Sequence, residues 1–560
     1  MLIFNKHIRF FSAKILNLHI INTHLMKKLI LTIMAAAVML PLATKICGQQ
    51  MQFSPNNKLR MAEQIIENYY VEDVDADSVV QEAIVAMLKT LDPHSSYSNP
   101  EETTELTQPL EGKFSGIGIQ FNMSTDTVYV IQTTGGGPSE KVGIKPGDKI
   151  ISANDTLLAG RKLPNSKILK TLRGEKGSKV RLMVMRGNNP ELLEFVVTRD
   201  DIPLYSVNEA YMVDDKTGYI AVSRFAEETP TEVRQAAAKL AKKGMKQLII
   251  DLQDNGGGYL GAACQMAADF LHAGDPVVYT AGRNSAPQHF NLDTDGKYLD
   301  IPVVVMVNQF SASASEIFSG AMQDNDRGLV VGRRTFGKGL VQRPFPFPDG
   351  SMIRLTTARY YTPSGRCIQK HYAKGHSEEY ELDMLNRLNS GELWSADSIK
   401  LIDSLQYRTL RNHRTVYGGG GILPDIFVPV DTTYFTPYYR AMLGKGSLNS
   451  YVLNYVDTNR KQLKELYPDE DRFYRDFNVT DRMLSDLVAR TTADSTEFNS
   501  EQWERSKPYV TAIVKGLISR DLFERGSFSR ATNMFDPIFK AAYEAINDPK
   551  RYNRLLGNTK

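Results

Sequence analysis

The first regular pattern of apolar and polar positions lies between residues 56 and 90. Apolar residues recur there at helical spacing, as Ile65/Ile66 with Tyr69/Tyr70 and as Ile84/Val85 with Leu88. This spacing predicts two helices. The second helix is expected to stop at the turn 91–95, because Pro93 biases the residue before it away from helical backbone. His94 lies in this turn, where we expect a role in the turn or in packing and not in catalysis.

Between residues 111 and 200 the pattern changes to short β-rich segments separated by glycines. The segment 143–148 carries Pro146 and Gly147 where a tight turn needs them. We therefore predict a small β-rich domain, with strands in the segments 116–121, 128–131, 149–151 and 180–184.

From Gly218 onward, predicted strands and helices alternate. Apolar strands fall at 219–222, 248–252 and 301–307, and helices are expected around 232–242 and 260–272. Apolar strands that alternate with helices indicate an α/β core with buried strands. This is the part of the chain in which we look for chemistry.

The remaining segments complete the domain prediction. Residues 371–416 interrupt the α/β region with a polar, charged stretch, which we interpret as an inserted subdomain or flap. Helical periodicity dominates from about residue 432. At 560 residues the chain is too long for one core. The predicted divisions are 1–48 (N-terminal extension and signal), 49–110 (helical), 111–200 (β-rich), 201–431 (α/β core) and 432–560 (helical).

The N-terminus carries the pattern of an export signal. Lys27 and Lys28 precede an apolar stretch at 29–43, which is followed by the small residue Gly48. We expect Met26 to be the true start, cleavage to occur near Gly48, and the protein to reach the periplasm or cell envelope. The apolar stretch is shorter than the roughly 20 residues that span a bilayer, so an uncleaved membrane anchor is the less favoured alternative.

Charge and cysteine content exclude few functional classes. The 67 basic and 64 acidic residues leave a formal net charge of +3, so no strong field favours nucleic acid or anionic lipid. Cys47, Cys264 and Cys367 are too few and too far apart for a disulfide framework. The 42% hydrophobic and 23% charged fractions are typical of soluble globular proteins.

A cluster of small hydroxyl residues follows the predicted strand at 301–307. Ser311, Ser313 and Ser315 stand at the start of a predicted helix, where unpaired backbone N–H groups stabilise negative charge. A serine in this place is a candidate nucleophile. Helix capping alone would also explain Ser311 or Ser315.

A lysine between two glycines follows the apolar run 329–331. Gly337 and Gly339 let other groups approach Lys338 closely, although a solvated surface lysine is the simple alternative. As a general base Lys338 needs its pKa lowered by roughly three units, which corresponds to about 4 kcal/mol and which burial can supply. Gln342 is placed to lie on the same side and to orient the amine by hydrogen bonding.

Three glycines at 256–258 follow the predicted strand at 248–252. They would let backbone N–H groups face a developing oxyanion, and the alternatives are a phosphate loop or a plain turn. No Gly-Lys-Ser/Thr follows, which disfavours a phosphate loop.

Two other nucleophilic arrangements are less well supported. Cys264 lies within a helical apolar face, which is typical of a packed thiol. A Ser-His-Asp triad would need a histidine in a suitable motif, and none of the candidates after the signal region stands in one: His94, His272, His289, His371, His376 and His413.

Together these elements resemble the C-terminal processing peptidases, also called tail-specific proteases, over about residues 56–431. The family's Ser-Ala-Ser-Ala-Ser-Glu-Ile helix start places the nucleophile at Ser313. Its Thr-Phe-Gly-Lys-Gly motif places the lysine at Lys338, and the family glutamine matches Gln342. The usual Leu-Arg-x-Asn-Pro-Gly-Gly appears at 252–258 without its arginine and proline, which puts the oxyanion donor in doubt.

The resemblance implies a multidomain α/β fold. Its parts are a crotonase/ClpP-like peptidase core, an inserted β-rich PDZ domain at 111–200, an N-terminal helical segment and a C-terminal helical domain. It also implies an oxyanion hole made by the backbone N–H groups of Gly257 and Ala314. The segment Gly116-Ile117-Gly118-Ile119 resembles the PDZ carboxylate-binding loop, which would hold a free C-terminus while the tail adds as a strand.

The resulting hypothesis is an exported serine endopeptidase with a Ser-Lys dyad. It would cleave polypeptides near unstructured, apolar C-terminal tails, in envelope protein processing or quality control, and tail binding would shift the PDZ domain to align Ser313 with Lys338. We expect no metal or other cofactor, no nucleic-acid partner, and membrane contact only through an uncleaved signal segment; a homo-oligomer is left open. The alternative is a noncatalytic PDZ-based peptide-binding or scaffolding protein, against which the retained Ser313, Lys338 and Gln342 argue.

Overall fold

The computed structural model describes residues 26, 28, 55–123, 126–187, 189, 191–523 and 526–558. Most of the predicted signal segment, with Cys47 and Gly48, lies outside these residues. The chain forms two compact units, residues 1–84 and 85–560. Within the described ranges, no helix is long and apolar enough to cross a membrane.

The first unit contains helix α1 (Pro55–Tyr69), and helix α2 (Ala76–Lys89) begins in it and ends in the second unit. Both helices were predicted from the apolar spacing. Helix α2 has Asp77 in its first turn and Lys89 in its last, charges that complement the helix dipole. The apolar side chains of α1, including Ile65 and Tyr69, are exposed.

A small β-rich region follows strand β1 (Ser96–Ser98) and helix α3 (Pro100–Glu111). Val128 and Val130, alternate residues of one central strand, are fully buried in its core. The elements are β2 (Lys113–Gly116), β3 (Ile119–Asn122), β4 (Val128–Thr133), α4 (Pro138–Lys141), β5 (Lys149–Ala153), β6 (Thr156–Leu157), α5 (Asn165–Leu172), β7 (Lys179–Met185), β8 (Leu193–Thr198) and β9 (Asp200–Pro203). Strands β3-β4-β5-β7-β8 form one sheet in that order, with β6 beside β5, and β2 pairs with β9.

The α/β core is built on a second sheet, whose strands are parallel except for the first. Its order is β10 (Val207–Met212), β11 (Thr217–Val222), β12 (Gln247–Asp251), β15 (Val303–Val307), β16 (Leu329–Gly332) and β21 (Ile426–Phe427). Helices α6 (Thr229–Lys242), α7 (Leu260–Ala267) and α8 (Ala314–Asp324) share one apolar cluster with this sheet. The carboxyl ends of β12 and β15 lead directly into the glycine loop and the serine turn.

A third sheet lies beside this core and contributes to the same region. Its strands are β13 (Pro276–Gly282), β14 (Ser285–Asn291), β17 (Leu340–Pro346) and β18 (Met352–Tyr361), in the order β1-β18-β13-β14 with β17 also paired to β18. The β17–β18 pairing is antiparallel, with an irregularity between Val341 and Gln342.

The predicted insertion 371–416 packs against the segment that leads to Lys338. Arg387 donates to the backbone carbonyls of Arg334 (2.7 Å) and Thr335 (3.1 Å), and Glu392 pairs with both arginines. The insertion contains α9 (Ser377–Glu381), α10 (Asp383–Asn389), 3-10 turns at Ala396–Ser398 and Asp403–Leu405, and the pair β19 (Gln406–Arg408) and β20 (Thr415–Tyr417).

The C-terminal helices divide between two sites. Helices α11 (Pro437–Gly444), α12 (Ser447–Leu466), α13 (Glu470–Asp476), α14 (Asp481–Ala493) and α15 (Ser500–Leu522) share an apolar cluster of their own. After α16 (Ser529–Thr532) and a 3-10 turn (Asn533–Phe535), helices α17 (Pro537–Asn547) and α18 (Pro549–Leu555) pack against the core sheet, where Ile538 and Phe539 meet Ile249 and Val304. The last part of the segment predicted as a separate domain, 432–560, therefore covers a face of the α/β core.

The β-rich region is attached to the C-terminal helices through strand β4. Tyr129 and Ile131, on the face opposite Val128 and Val130, pack with Leu453 of α12. Gln132 Nε2 donates to the carbonyl oxygen of Asp521 at 2.8 Å. These contacts fix the position of the β-rich region in this arrangement.

Candidate active site

Ser313 lies at the junction between strand β15 and helix α8. Its backbone combines a positive φ of +56° with a ψ of −113°, which is uncommon for residues other than glycine. Its N–H donates to Glu316 Oε2 at 2.8 Å. Ala314 is the first residue of the helix, so its N–H has no acceptor within the helix. The turn therefore places a serine side chain beside an N–H group that the helix does not use.

The three serines of this segment have different surroundings. Ser311 Oγ donates to the carbonyl of Leu252 at 2.7 Å, and Ser315 Oγ donates to that of Asn255 at 2.8 Å. Both serines are fully buried. Ser313 is half-buried and lines a cavity of about 440 Å³. Local hydrogen bonding thus accounts for Ser311 and Ser315, whereas Ser313 faces the cavity.

Glu316 joins the serine turn to the lysine loop. Its buried carboxylate accepts hydrogen bonds from the N–H groups of Ser313 (2.8 Å), Gly337 (2.7 Å) and Lys338 (2.9 Å) and from the Thr335 hydroxyl (2.5 Å). Burial raises the pKa of Glu316 to about 7, and its hydrogen-bond donors act in the opposite direction. One carboxylate therefore sets the position of both segments.

Lys338 is half-buried and lines the same cavity as Ser313. Burial disfavours the charged ammonium and lowers the pKa of Lys338 to about 8. The positive charge of Arg354 acts in the same direction, and the carboxylates of Glu316 and Asp92 oppose it. This is the direction that a general base at neutral pH requires.

The Tyr360 hydroxyl provides another link between the two segments. It hydrogen-bonds the carbonyl oxygen of Lys338 and lies 3.2 Å from that of Ser313. The side chains themselves are not joined: among the hydrogen bonds of the described residues, none connects Ser313 Oγ to Lys338 Nζ. The backbones are thus held together, although the two side chains do not share a hydrogen bond.

Gln342 lies near the start of strand β17 and lines the cavity together with Lys338. Its Nε2 donates to Thr356 Oγ1 at 3.2 Å, on the paired strand β18. Gln342 and Lys338 therefore line the same cavity.

The glycine loop approaches the serine turn so closely that a side chain is excluded. Gly257 has φ +100°, and a Cβ there would lie 2.8 Å from the Cβ of Ser313 and 2.9 Å from the nitrogen of Ala314. The N–H of Gly257 donates to Asn255 Oδ1 at 2.8 Å. In this arrangement that N–H is therefore occupied, which differs from the predicted oxyanion hole. The buried Asn255 side chain is itself anchored, since its Nδ2 donates to the carbonyl of Val222 at 2.8 Å.

The other predicted site residues lie elsewhere or are unreactive. The segment Gly116–Ile119 belongs to the β-rich region and does not line the Ser313 cavity. Burial raises the pKa of Cys264 to about 12, which leaves an unreactive thiol. None of the six histidines considered lines this cavity, and the described residues contain no His, Cys, Asp or Glu cluster suited to a metal ion.

Four polar groups around the pair were not found from the sequence: Glu316, Tyr360, Arg354 and Asp92. Glu316 stands three residues after Ser313, which is the spacing of a capping box and could have identified it. The other three reach the site through strand β18 and the turn 91–95. Their approach depends on sheet pairing between distant segments, which no local pattern reveals.

Comparison with known proteins finds relatives for most of the chain. Residues 216–378 match peptidase family S41, 115–197 a PDZ domain, 38–103 the N-terminal domain of the activating protease CtpB, and 438–524 a family of unknown function. The carboxy-terminal processing protease CtpB of Bacillus subtilis (strain 168) is 35% identical over 349 residues, which cover 62% of this chain and 71% of that protein. A probable CtpA-like serine protease of Staphylococcus aureus (strain N315) is 33% identical over 329 residues, which cover 58% of this chain and 64% of the relative.

A solved structure titled as the photosystem II D1 C-terminal processing protease is 29% identical, with 56% of this chain and 83% of that chain covered and a TM-score of 0.33. The family and domain matches confirm the resemblance inferred from the motifs. They also confirm the multidomain α/β fold, with its peptidase core, PDZ domain, N-terminal domain and C-terminal helical region.

Replacing Glu316 by glutamine tests whether the carboxylate holds the two segments. A glutamine side chain has one acceptor oxygen, and its NH2 group would face N–H donors. We expect unfolding to become easier by about 2–4 kcal/mol, because buried donors lose their acceptor, and kcat/KM to fall at least about tenfold. Thermal unfolding and cleavage kinetics measure the two effects.

The matched control for this variant is Glu470→Gln, which removes a carboxylate that accepts from Ser519 of helix α15 and from Ser527 in the segment after it. It should lower stability while the folded enzyme keeps its kcat/KM. Equal kinetic losses in the two variants, or wild-type stability of Glu316→Gln, would contradict the role given to Glu316.

Proposed function

The chain belongs to the carboxy-terminal processing proteases of peptidase family S41 and is a serine-type peptidase, and we propose that it cuts polypeptides near their C-terminal ends with Ser313 as nucleophile and Lys338 as general base. One observation carries the proposal. Ser313, alone among the three serines of its turn, faces the cavity that Lys338 also lines, and Glu316 binds the backbones of both.

In the proposed reaction, neutral Lys338 accepts the proton of Ser313 Oγ as that oxygen attacks the scissile carbonyl. The protonated lysine then gives the proton to the leaving amine, and an acyl-enzyme forms on Ser313. Water activated by the same lysine releases the product. A base whose pKa is lowered to about 8 is partly neutral at physiological pH, which the mechanism needs. We assign to Gln342 the orientation of the amine.

We propose that the N–H groups of Ala314 and Gly257 stabilise the oxyanion. Gly257 must first exchange its bond to Asn255 Oδ1 for one to the substrate. Ser313 Oγ and Lys338 Nζ must also approach each other. Both points support a resting arrangement that becomes productive after a local rearrangement.

The lining of the cavity supports an apolar substrate segment next to the scissile bond. Apolar side chains from helix α3, the start of helix α7 and strands β17 and β18 line the cavity with Ser313: Leu106, Leu110, Tyr259, Leu260, Leu340 and Met352. Apolar pockets of this kind select substrates by burial of apolar surface. We therefore propose apolar, unstructured C-terminal tails as substrates.

The PDZ domain is proposed to hold the free carboxylate of the tail. The N–H groups of the Gly116–Ile119 segment would bind it while the tail adds as a strand beside β3. Because strand β4 of this domain is packed on α12 through Leu453, a shift of the domain on tail binding must loosen that contact. Such a shift would provide the rearrangement that brings Ser313 and Lys338 together.

An exported location, in the periplasm or cell envelope, is proposed from the signal-like segment at 27–48. Protein processing or quality control in that compartment fits a peptidase that selects tails. A noncatalytic PDZ-based scaffold is the competing function, and the cleavage experiment below separates the two.

Ser313→Ala and Lys338→Ala should each lower cleavage of an unfolded polypeptide with an apolar tail by at least about a thousandfold, because they remove the nucleophile and its base. The exposed Lys374→Ala variant is the matched control and should cleave normally. Fragment formation followed by mass spectrometry measures the rates. Equal cleavage by all variants would contradict the dyad, and no cleavage by the unmodified protein would favour the scaffold.

Gly118→Leu should weaken cleavage of tailed substrates about tenfold or more, by disturbing the loop proposed to bind the carboxylate. Gly118 has φ +71°, and a Cβ there would lie 2.9 Å from Ile202 Cδ1. Gly136→Leu is the control, since Gly136 has a similar φ of +68° but open space around it. Comparing substrates with and without a free apolar tail isolates the effect. Unchanged tail preference in Gly118→Leu would count against the proposed loop.

A further inference from the structure

The turn 91–95, which the sequence presents as a structural element, is hydrogen-bonded to the peptidase core. Asp92 Oδ1 accepts from the N–H groups of His94 and Ser95 at 2.9 Å each, and Oδ2 accepts from the Ser95 hydroxyl at 2.6 Å. These bonds are typical of a turn closed by an aspartate. A further bond leaves the turn: the Thr356 hydroxyl of strand β18 donates to Asp92 Oδ1 at 3.0 Å.

The single proton of the Thr356 hydroxyl determines how the side-chain amide of Gln342 is oriented. Asp92, as a carboxylate, only accepts, so Thr356 must donate its proton to it. The Thr356 oxygen is then an acceptor toward Gln342, 3.2 Å away. Only the NH2 end of an amide can donate there, so Nε2 of Gln342 faces Thr356 and Oε1 is turned the other way.

We propose that Asp92 is a positioning residue of the peptidase: through Thr356 it sets the orientation of the Gln342 amide, so that the amide oxygen is the end presented to the Lys338 amine. The inference rests on the proposed function, in which Lys338 is the general base. Asp92 and Thr356 touch neither substrate nor reacting atoms. Their effect reaches the reaction only through Gln342.

The orientation matters because a neutral amine has one lone pair and two N–H groups. The base must direct its lone pair at the proton of Ser313 Oγ. An amide oxygen accepts an N–H of Lys338 and leaves the lone pair available. An amide nitrogen in the same place would donate to that lone pair and compete with Ser313. A carboxylate behind Thr356 excludes this second orientation.

The turn is firmly attached to the strand on which it acts. The N–H of Thr356 donates to Ser95 Oγ at 3.1 Å, and the adjacent strand β1 pairs with β18 at Ser96 and Arg354. Asp92 is only 8% exposed. On the other side, His94 Nε2 and the Tyr380 hydroxyl are hydrogen-bonded at 2.7 Å. The carboxylate is therefore held in place by contacts on both sides of the turn.

The charged groups that shift the pKa of Lys338 are Arg354, which lowers it, and the carboxylates of Glu316 and Asp92, which raise it. The imidazole of His94 also lies near Lys338. Burial, with a smaller contribution from Lys338, lowers the pKa of His94 to about 4, so His94 is neutral at physiological pH. Asp92 is then one of two carboxylates that favour the charged form of Lys338. Removing the charge of Asp92 should lower the pKa of Lys338, so that the amine becomes neutral at a lower pH.

The test compares Thr356→Val, which removes the hydroxyl at nearly constant volume, with Thr356→Ser, which keeps it. With an unfolded polypeptide bearing an apolar tail, we expect Thr356→Val to lower kcat about tenfold, a fraction of what general base catalysis contributes, with KM nearly unchanged. Thr356→Ser should recover most of the activity. Circular dichroism and thermal unfolding of each variant establish that the folded enzyme is being compared.

The double variant Thr356→Val/Gln342→Ala provides the sharpest readout. If Thr356 acts through Gln342, the double variant has the same kcat as Gln342→Ala alone. Multiplied losses, full activity in Thr356→Val, or full activity in Gln342→Ala would each overturn the inference. The proposed function fails by a different result, namely retained cleavage by Ser313→Ala or Lys338→Ala.

The pH dependence of kcat/KM in Asp92→Asn provides another test, because a purely structural role of Asp92 would leave that dependence unchanged. We expect a lower maximal kcat, with the acid limb of the kcat/KM profile displaced to lower pH because the carboxylate no longer favours the ammonium form of Lys338. An unchanged maximum, or a lower maximum with the acid limb unmoved, would contradict the inference.

Discussion

The Glu316 carboxylate binds two segments that are distant in the sequence, and the geometry of the site depends on it. Its oxygens accept from the N–H of Ser313 on one side and from those of Gly337 and Lys338 on the other. Placing a carboxylate in a fully buried position is costly unless hydrogen bonds compensate for the lost water. The hydroxyl and N–H donors around Glu316 provide that compensation. The buried carboxylate, which would be unstable without these donors, therefore holds the serine turn and the lysine loop next to each other.

The surrounding fold serves to bring these segments to one place. Parallel strands β12 and β15 end side by side and deliver the glycine loop and the serine turn, while β16 leads to the lysine loop. The insertion supports that loop from behind through Arg387, and the third sheet contributes Tyr360 and Gln342. Helix α17 covers the other face of the core sheet. The core sheet, the insertion and the third sheet thus each help to position the residues around the cavity.

The sequence predicted the elements of this fold because their apolar patterns are local. Strand Val303–Val307 is apolar at every position and is buried on both faces, and the helices of 56–90 follow from their spacing. Which helices and strands pack against each other was less predictable. The amphipathic pattern of α17 indicates a helix, but it does not reveal that this helix packs on strands of the core sheet that are distant from it in the sequence.

In the candidate site, too, local motifs were predictable from the sequence, whereas contacts between remote segments were not. Motifs and the family resemblance singled out Ser313, Lys338 and Gln342. The folded chain adds a physical reason for Ser313, since Ser311 and Ser315 are buried and hydrogen-bonded to backbone carbonyls whereas Ser313 lines the cavity. The occupied N–H of Gly257 and the link from Asp92 through Thr356 to Gln342 depend on contacts between remote segments. No spacing rule could have revealed them.

The pH dependence of covalent labelling, followed in the presence of a peptide with a free apolar C-terminal tail, reports on Ser313 and Lys338 together, because tail binding is proposed to bring the two groups together. A small fluorophosphonate reacts with an activated serine, and peptide mapping identifies the modified residue. We expect modification at Ser313, at a rate that rises with pH through an apparent pKa of about 8 as Lys338 loses its proton. Modification of Ser311 or Ser315, or a rate at Ser313 that does not change between pH values below and above the pKa of Lys338, would contradict it.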